Sequence, residues 1–543
     1  MSITSITIEN FKGIKDKVKI DLKPITLLFG PNSAGKSTII QALHYLKQIF
    51  VNRNTDADVS FAYDGNIRFN GFQNLVYNHD LKNVIKLGIE INRKPLTDTK
   101  IESGGWLSYN ELIKYEDKIY MKLSVIWNDS KNCAQVNYLA LYIDNIKVIA
   151  VEYDINSEDV FLVYFDHKHR IFSKIMNYDP DEPPWAFYDS NAKIRRYPYN
   201  LYFQEILTKY FNHENNKYNY QLFINPSEKN DKHFPVLREV MLYECMSYEY
   251  HEERGFHYYE EDRNFFYFRV EILDKLILES FTLIRDELVD FLRIGPLREM
   301  PDRIEANQMP SQQRFITGKA AWDILYSADE TFIEKFNHWI SSEDKFSTGY
   351  SAYQKNIVEI DKKKLPEDIT IEYIASLPST KKLIFKDSND VEVMPQDVGF
   401  GFSQILPVVV AALMRENETR HLYHGSKEHK KIISIEQPEL HIHPKLQVEL
   451  GDLFIEQSVN KNVIFLIETH SEHLMLRLLR RIRETSEGKV TKNLSLSPPE
   501  VAIYFIEPYE GGISCTKIRI NEDGEFIDRW PQGFFGERFE ELY

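Results

Sequence analysis

The sequence predicts an α/β head, built on a mixed sheet with an antiparallel β-layer and carrying a mostly helical insertion. Three observations lead there. Near residue 30 a short apolar strand runs into a glycine loop and then a helix. After about residue 381, apolar strands alternate with helical periods again. Between these ends lie short β-branched and aromatic strands, followed by longer periods. Strands alternating with helices at both ends, around an inserted middle, describe an α/β head with an insertion. At 543 residues, two or three units are expected.

The chain opens like a strand, with Ile3, Ile6 and Ile8 among polar residues. A turn at Lys12-Gly13 follows, then Val18 and Ile20. Ile25 to Phe29 is a short continuous apolar run, as expected of a strand buried on both faces. It leads into GPNSAGKST, after which Ile39, Ile40, Leu43, Leu46 and Ile49 recur at helical spacing. From about 84 to 175, the segments IKLGIEI, IYMKLSVIW, LALYI, VIAVEY and VFLVYF predict an antiparallel layer, closing a first unit at 1–175. The 176–290 stretch is aromatic-rich, and FRVEILDKLILESFTLIRDELVDFL predicts an amphipathic helix. From 291 to 543 the head resumes. FLRIGPLR predicts a strand returning to the main sheet, and KLIF and VEVMP precede the loop VGFGFSQ and a helix ILPVVVAALM. A strand at Lys431–Ile435, a helix at Pro444–Gln457, a strand at Val463–Ile467, a helix after Ser471 and a final hairpin complete it. No heptad run is sustained, so a long coiled-coil arm is not expected.

Composition narrows the function. Lys+Arg 66 against Asp+Glu 82 gives a net charge of −16, which argues against a generic nucleic-acid-coating surface. Lys193, Arg195 and Arg196 form a local basic patch; Arg477, Arg480, Arg481 and Arg483 read as the solvated face of a helix. No apolar run reaches the ~20 residues of a membrane span, and the start lacks the apolar stretch of a signal peptide. A cytoplasmic protein is expected. Cys133, Cys245 and Cys515 have no disulfide-framework or zinc spacing.

The chemistry concentrates in four segments. Gly30, Asn32, Ser33, Ala34, Gly35, Lys36, Ser37 and Thr38 complete the pattern G-x-x-x-x-G-K-[ST]. Such a loop wraps phosphates with backbone N–H groups and adds the helix dipole behind them. Lys36 is expected to bridge the β- and γ-phosphates of ATP, and Ser37 to ligate Mg²⁺. Glu436 ends an apolar run, where its carboxylate holds Mg²⁺ through water. VIFLIETH is a second buried strand, whose His470 reaches a γ-phosphate. Gly399, Gly401, Ser403 and Gln404 precede a helix start and form a second anion-binding turn. One chain already has a phosphate cradle, so a second suggests binding across a dimer.

NFKGI, GPNSAGKST, GFGFSQ, IEQPELHIHP and ETHSEH, in that order, resemble the ABC-type ATPases of the SMC, RecF and OLD kind, over roughly 1–90 and 391–480. The resemblance implies an ATP sandwich between two copies. Gly401 and Ser403, with Gln404 beside them, would meet the γ-phosphate in trans. His443-Pro444 would lie in the loop linking the two sites, and His470 would be the switch histidine. Lys12 would lie near the nucleotide, and Gln73 would be the loop glutamine that senses Mg²⁺. The tail Trp530-Pro-Gln-Gly-Phe-Phe535 is similar to that of single-chain prokaryotic ATPases working with separately encoded nucleases in antiphage defence, as in Septu and certain retron systems. The expected partners are therefore a second copy and a nuclease effector, with nucleic acid bound directly or through it. The alternative is a RecF-like clamp that grips DNA itself. A self-contained nuclease and a membrane transporter are disfavoured. One departure stands out: the family's catalytic glutamate is Gln437 here, which orients a water but cannot deprotonate it. Slow hydrolysis is expected unless Glu439 substitutes.

Overall fold

The computed structural model describes residues 2–52, 55, 71–92, 117–153, 160–166, 169–172, 221–222, 276–277, 279–301, 312–358, 370, 377, 379–414, 431–461 and 463–531. The chain forms two compact units interleaved in sequence. One comprises Met1–Ile20, Tyr45–Ala57 and Asn70–Glu287; the other comprises Asp21–His44, Asp58–Phe69 and Leu288–Tyr543. Most of the expected insertion, including Lys193, Arg195 and Arg196, lies outside the described residues.

The first unit is built on an eight-stranded sheet. Its strands are β1 (Ser2–Glu9), β2 (Val18–Asp21), β4 (Ile85–Asn92), β5 (Lys118–Asn128), β6 (Cys133–Ile143), β7 (Ile146–Tyr153), β8 (Val160–Phe165) and β9 (Gln221–Leu222), ordered β2-β1-β4-β5-β6-β7-β8-β9. The pairings from β1–β4 through β8–β9 are antiparallel, as the run of short strands predicted. Of the amphipathic helix expected around 268–292, the described part is α2 (Glu279–Val289). Its Phe281 packs on Phe50, with ring centroids 4.5 Å apart. After it the chain enters the strand that FLRIGPLR predicted.

That strand is β10 (Leu292–Ile294), the edge of a six-stranded sheet in the second unit. Its companions are β3 (Ile25–Phe29), β14 (Lys431–Glu436), β15 (Val463–Glu468), β16 (Val501–Tyr509) and β17 (Gly512–Ile518), ordered β10-β14-β15-β3-β16-β17. All pairings are parallel except the terminal hairpin β16–β17. Every residue of β3, β14 and β15 is buried, as continuous apolar runs demand in a parallel sheet covered on both faces. Register then does the positioning. Glu468 pairs with Glu436 on one side and with Leu28 on the other, so two carboxylates and the loop after β3 share one sheet end.

The second unit's helices are α3 (Gln312–Ile316), α4 (Lys319–Ser327), α5 (Glu330–Ser341), α6 (Phe400–Leu413), α7 (Pro444–Lys461) and α8 (Glu472–Ser486), while the residues of α1 (Lys36–Asn52) are divided between the units. The helical spacing after the glycine loop is confirmed, since Ile39, Ile40, Leu43, Leu46 and Ile49 are all buried. A small antiparallel sheet of β11 (Ser351–Val358), β12 (Ser379–Lys386) and β13 (Glu392–Val393) packs Phe385 against Trp322 and Phe402. The arginines of α8 are only partly a solvated face. Arg477 and Arg481 both bind the buried Asp452 of α7, through Nε at 2.9 Å each. Arg480 pairs instead with Glu484 along the helix surface.

Candidate phosphate-binding site

Gly30 and Gly35 have φ of +145° and +97°. A Cβ on Gly30 would lie 2.0 Å from the Ile506 carbonyl oxygen, and one on Gly35 would lie 2.2 Å from Ile513 Cδ1. Only glycine fits either position. The loop between them turns on Ser33 at φ +61°, leaves Pro31, Asn32 and Ser33 exposed and buries Ala34. The backbone N–H of Thr38 closes the first helical turn onto the Gly35 carbonyl at 3.0 Å.

Lys36 is folded back into this loop. Its Nζ donates to the carbonyls of Gly30 (3.0 Å) and Pro31 (2.9 Å) and lies 4.0 Å from Glu468 Oε1. Ser37 Oγ donates to Glu468 Oε2 at 2.6 Å. Glu468 was not expected from the sequence as a site residue. The available signal was a repeated pattern, since IISIE and VIFLIE are both buried apolar runs ending in glutamate. Burial lowers the Lys36 pKa, with Glu468 and Glu439 opposing. Burial also raises the Glu468 carboxyl, with the Ser37 hydrogen bond opposing it and Glu436 adding to it.

Glu436 is held by Arg293 of β10, whose Nε donates to Oε1 at 2.7 Å. Arg298, 4% exposed, spans the neighbouring backbone. It donates to the carbonyls of Glu436 (2.8 Å) and Gln437 (3.2 Å) and, through Nη1, to that of Gln404 (3.3 Å). Gln404 Nε2 returns a hydrogen bond to the Arg298 carbonyl at 2.8 Å. Burial pushes the Arg298 pKa down to about 10, against Glu439 and Glu436. Neither arginine was singled out by the sequence, because FLRIGPLR shows only a strand and a turn until the partners are seen.

Gln437 is half-buried at φ +46°, in the left-handed region that non-glycine residues rarely occupy. Its N–H donates to the Glu468 carbonyl at 2.8 Å, which ties the strained turn to β15. Glu439 clips the end of the same strand, accepting from Thr469 Oγ1 (2.8 Å) and the His470 N–H (2.7 Å). Burial raises its carboxyl, although those two hydrogen bonds oppose the rise. His470 sits at the β15 end with a buried, unpartnered Nε2. Burial, and then the Lys36 charge, lower its pKa and keep the imidazole neutral.

The second glycine turn differs from expectation. Helix α6 begins at Phe400, so Ser403 and Gln404 lie inside it and are buried. Ser403 Oγ donates to the Phe400 carbonyl at 2.7 Å, and the Gln404 amide is spent on Arg298. Neither side chain is presented at the helix start. What the turn exposes is Gly399 and Phe400, with Gly401 partly covered and the Phe400 ring against His441 at 5.1 Å. His443 is exposed and accepts a weak hydrogen bond from the Lys445 N–H at 3.3 Å. Lys12 and Gln73 belong to the other unit. There, the Lys12 N–H donates to the Leu75 carbonyl at 2.7 Å, and the exposed Gln73 amide donates to the His79 carbonyl at 3.2 Å. Of the tail, Trp530 and Pro531 are described, and the Trp530 ring packs edge-on to Phe29 of β3 at 5.7 Å.

The oxygen donors here, a serine hydroxyl and glutamate carboxylates, suit a hard cation such as Mg²⁺. Among the described residues, no group of three or more His, Cys, Asp or Glu is arranged to hold a metal alone. Such an ion would share its shell with phosphate oxygens, as Mg²⁺ usually does.

No curated protein matches the chain. Among solved structures, it is similar to an SmcHead bound to the C-winged helix domain of ScpA, at 10% identity and TM-score 0.37, covering 96% of this chain and 99% of that one. It is also similar to an SMC head domain from Thermotoga maritima, at 10% identity and TM-score 0.35, covering 96% and 100%. A third is the Smc head domain with a coiled coil and joint derived from Pyrococcus yayanosii, at 10% identity and TM-score 0.36, covering 100% of both chains. A family described as a protein of unknown function (DUF3696) matches residues 496–543. The family described as AAA ATPase domain matches residues 1–475, a span that contains the glycine loop, Lys36, Ser37 and both strand-end glutamates, and the chain belongs to that family.

Proposed function

We propose that the chain binds ATP with Mg²⁺ at residues 30–38, hydrolyses it slowly, and closes on a second copy when loaded. The closed state then controls a separately encoded effector, a nuclease, in prokaryotic antiviral defence. The observation that carries the nucleotide reading is the assembly of Lys36, Ser37 and Glu468 behind a loop that only glycine can form. Phosphate arriving at this loop would draw Lys36 off the Gly30 and Pro31 carbonyls, exchanging two neutral acceptors for an anion. Slow turnover is supported by Gln437, since no carboxylate stands at the family's usual base position. His470, neutral and with a buried ring nitrogen to offer, would orient the γ-phosphate side. Closure is supported by the exposed start of α6, whose backbone N–H groups and dipole favour an anion from a second copy. Lys12 as a nucleotide contact and Gln73 as a metal sensor belong to the same proposal. Replacing Lys36 by Ala tests the core of it. ATP affinity in a direct titration should fall at least about tenfold, a loss typical of a charge-assisted phosphate contact. Protection of cells against phage should disappear with it. Unchanged affinity would contradict the nucleotide reading.

A further inference from the structure

Two glutamates reach the same sheet end in register, but the structure gives them different partners. Glu436 ends the strand that the family resemblance marks as metal-binding, yet its carboxylate is held by Arg293 at 2.7 Å, and both side chains are nearly buried. Its charge is already compensated. Glu468 has no such partner of its own. Its cation is Lys36, 4.0 Å away, and Lys36 is the residue that phosphate would recruit. Its other oxygen accepts from Ser37, the hydroxyl that the sequence motif leads one to expect at a metal ion.

We propose that Glu468, rather than Glu436, is the carboxylate that holds the metal side of this site, acting through Ser37. This rests on the nucleotide reading above and assigns the metal within it. A hydroxyl oxygen ligating a divalent cation through a lone pair keeps its proton and becomes a stronger donor. It then needs a strong acceptor, and Glu468 Oε2 already occupies that position at 2.6 Å. Charge balance points the same way. When Lys36 turns to phosphate, Glu468 is left buried without its cation, and a divalent ion beside Ser37 restores the balance. Glu436 meanwhile keeps Arg293. Its carbonyl, together with that of Gln437, is also fixed by Arg298, so its part is to shape the turn.

The test uses the full-length protein and a fluorescent ATP analogue, titrated at increasing Mg²⁺ and again in excess chelator. Glu468→Gln is nearly isosteric. It should raise the Mg²⁺ needed for half-maximal tightening by about 10–100-fold, the usual loss when a carboxylate supporting a metal site is removed. Affinity in chelator should not fall, since losing a carboxylate beside Lys36 removes repulsion from the incoming phosphate and no phosphate contact. Glu436→Gln should shift the Mg²⁺ requirement far less. An unchanged requirement in Glu468→Gln, or a larger shift in Glu436→Gln, would overturn the assignment. If the Gln variant does not fold, Glu468→Asp keeps the charge but withdraws it from Ser37, and must move the requirement in the same direction. A wild-type chain that binds no nucleotide with or without metal overturns the proposed function instead, so the two failures are distinguishable.

Discussion

Gln437 is a strained residue held at φ +46° between two anchored strands, and its side chain is an amide where the resemblance implies a carboxylate. General-base catalysis is typically worth ~10²–10⁴-fold, so under the proposed function its absence would keep the site loaded for longer. Gln437→Glu should therefore raise the steady-state ATPase rate at saturating ATP, read by phosphate release. A rate equal to or below wild type would contradict slow turnover caused by Gln437. Glu439 answers differently than its sequence position alone implied. Both of its oxygens accept hydrogen bonds from the Thr469-His470 end of β15, so it fixes the strand end that carries His470. Glu439→Gln keeps one acceptor and loses the other. It should lower stability by about 1–3 kcal/mol, the cost of a buried donor left unmet, visible as a fall in the melting temperature. Unchanged melting with a collapsed ATPase rate would return the base role to Glu439.

At the scale of single elements, the start of α6 is where the proposed closure would bring a second copy. Phe400 is the first residue of the helix and 56% exposed, so changing it leaves the core untouched. An acid at a helix N-terminus is favoured by the dipole, by about 0.3–1 kcal/mol, so Phe400→Asp should fold as well as wild type. It would nonetheless set a negative charge where, under the proposed closure, a second copy's γ-phosphate would dock. Sedimentation with a non-hydrolysable analogue should show wild type closing and the variant monomeric, with ATP binding to the monomer unchanged. If the variant dimerises like wild type, the turn is structural only. Ser403→Arg is a poor test of the same idea, because Ser403 is buried inside the helix. The sequence places this helix five residues late, at Ile405, since Gly-Phe-Gly-Phe has low helix propensity and burial of Phe402 against Phe385 and Tyr350 overrides it. The pairing of α7 with α8 is a second case. Arg477 and Arg481 read as solvent-facing until Asp452 appears opposite them. Burial alone would raise the Asp452 carboxyl, but the hydrogen bonds from Arg481 and Arg477 outweigh it and hold the pKa below the ordinary value. A depressed carboxylate contributes stability above its unfolded pKa and loses it as pH falls through the folded one. The Asp452 contribution is thus fully present at neutral pH. Asp452→Asn, which leaves Arg477 with Glu449 and Arg481 with Glu484 as their remaining carboxylates, should cost about 1.5–3 kcal/mol in chemical denaturation at pH 7, the range of a hydrogen bond to a charged group.

Over the whole molecule, the parallel sheet was legible because its strands are continuous apolar runs joined by helical periods, and a parallel pair needs such a crossover. Lys431–Ile435 and Val463–Ile467 each extend by one residue, and in both that residue is the glutamate that faces the glycine loop's end of the sheet. What the sequence could not show is interleaving. Asp21–His44 folds with the distant C-terminal half, whereas the strands just before it belong to the other unit. Spacing along the chain carries no record of such long-range packing. The interleaving also makes the last prediction sharper. Gly30 to Thr38, Glu436 and Glu468 all lie in one unit with its own core, while residues up to Glu287 after Asn70 belong to the other. A deletion running to 290 would remove α2, whose Phe281, Ile284 and Leu288 are buried. Ending it at 275 spares that helix and removes, among the described residues, only the two-residue edge strand β9. The shortened chain, lacking 176–275, should bind ATP within about twofold of wild type, because it keeps every residue of the unit that holds Lys36, Ser37 and Glu468. The expected 176–290 insertion, with its acidic-aromatic run at 248–268, lies mostly outside the described residues. Under the proposed function it is the segment expected to meet the effector, because aromatic side chains are enriched at protein interfaces and the ATP motifs all lie elsewhere in the sequence. Co-purification with the effector from the native host should therefore be lost while nucleotide binding survives. A shortened chain that keeps the same effector would place that surface on the ATPase head, and one that loses ATP binding would show that the two units cannot be separated.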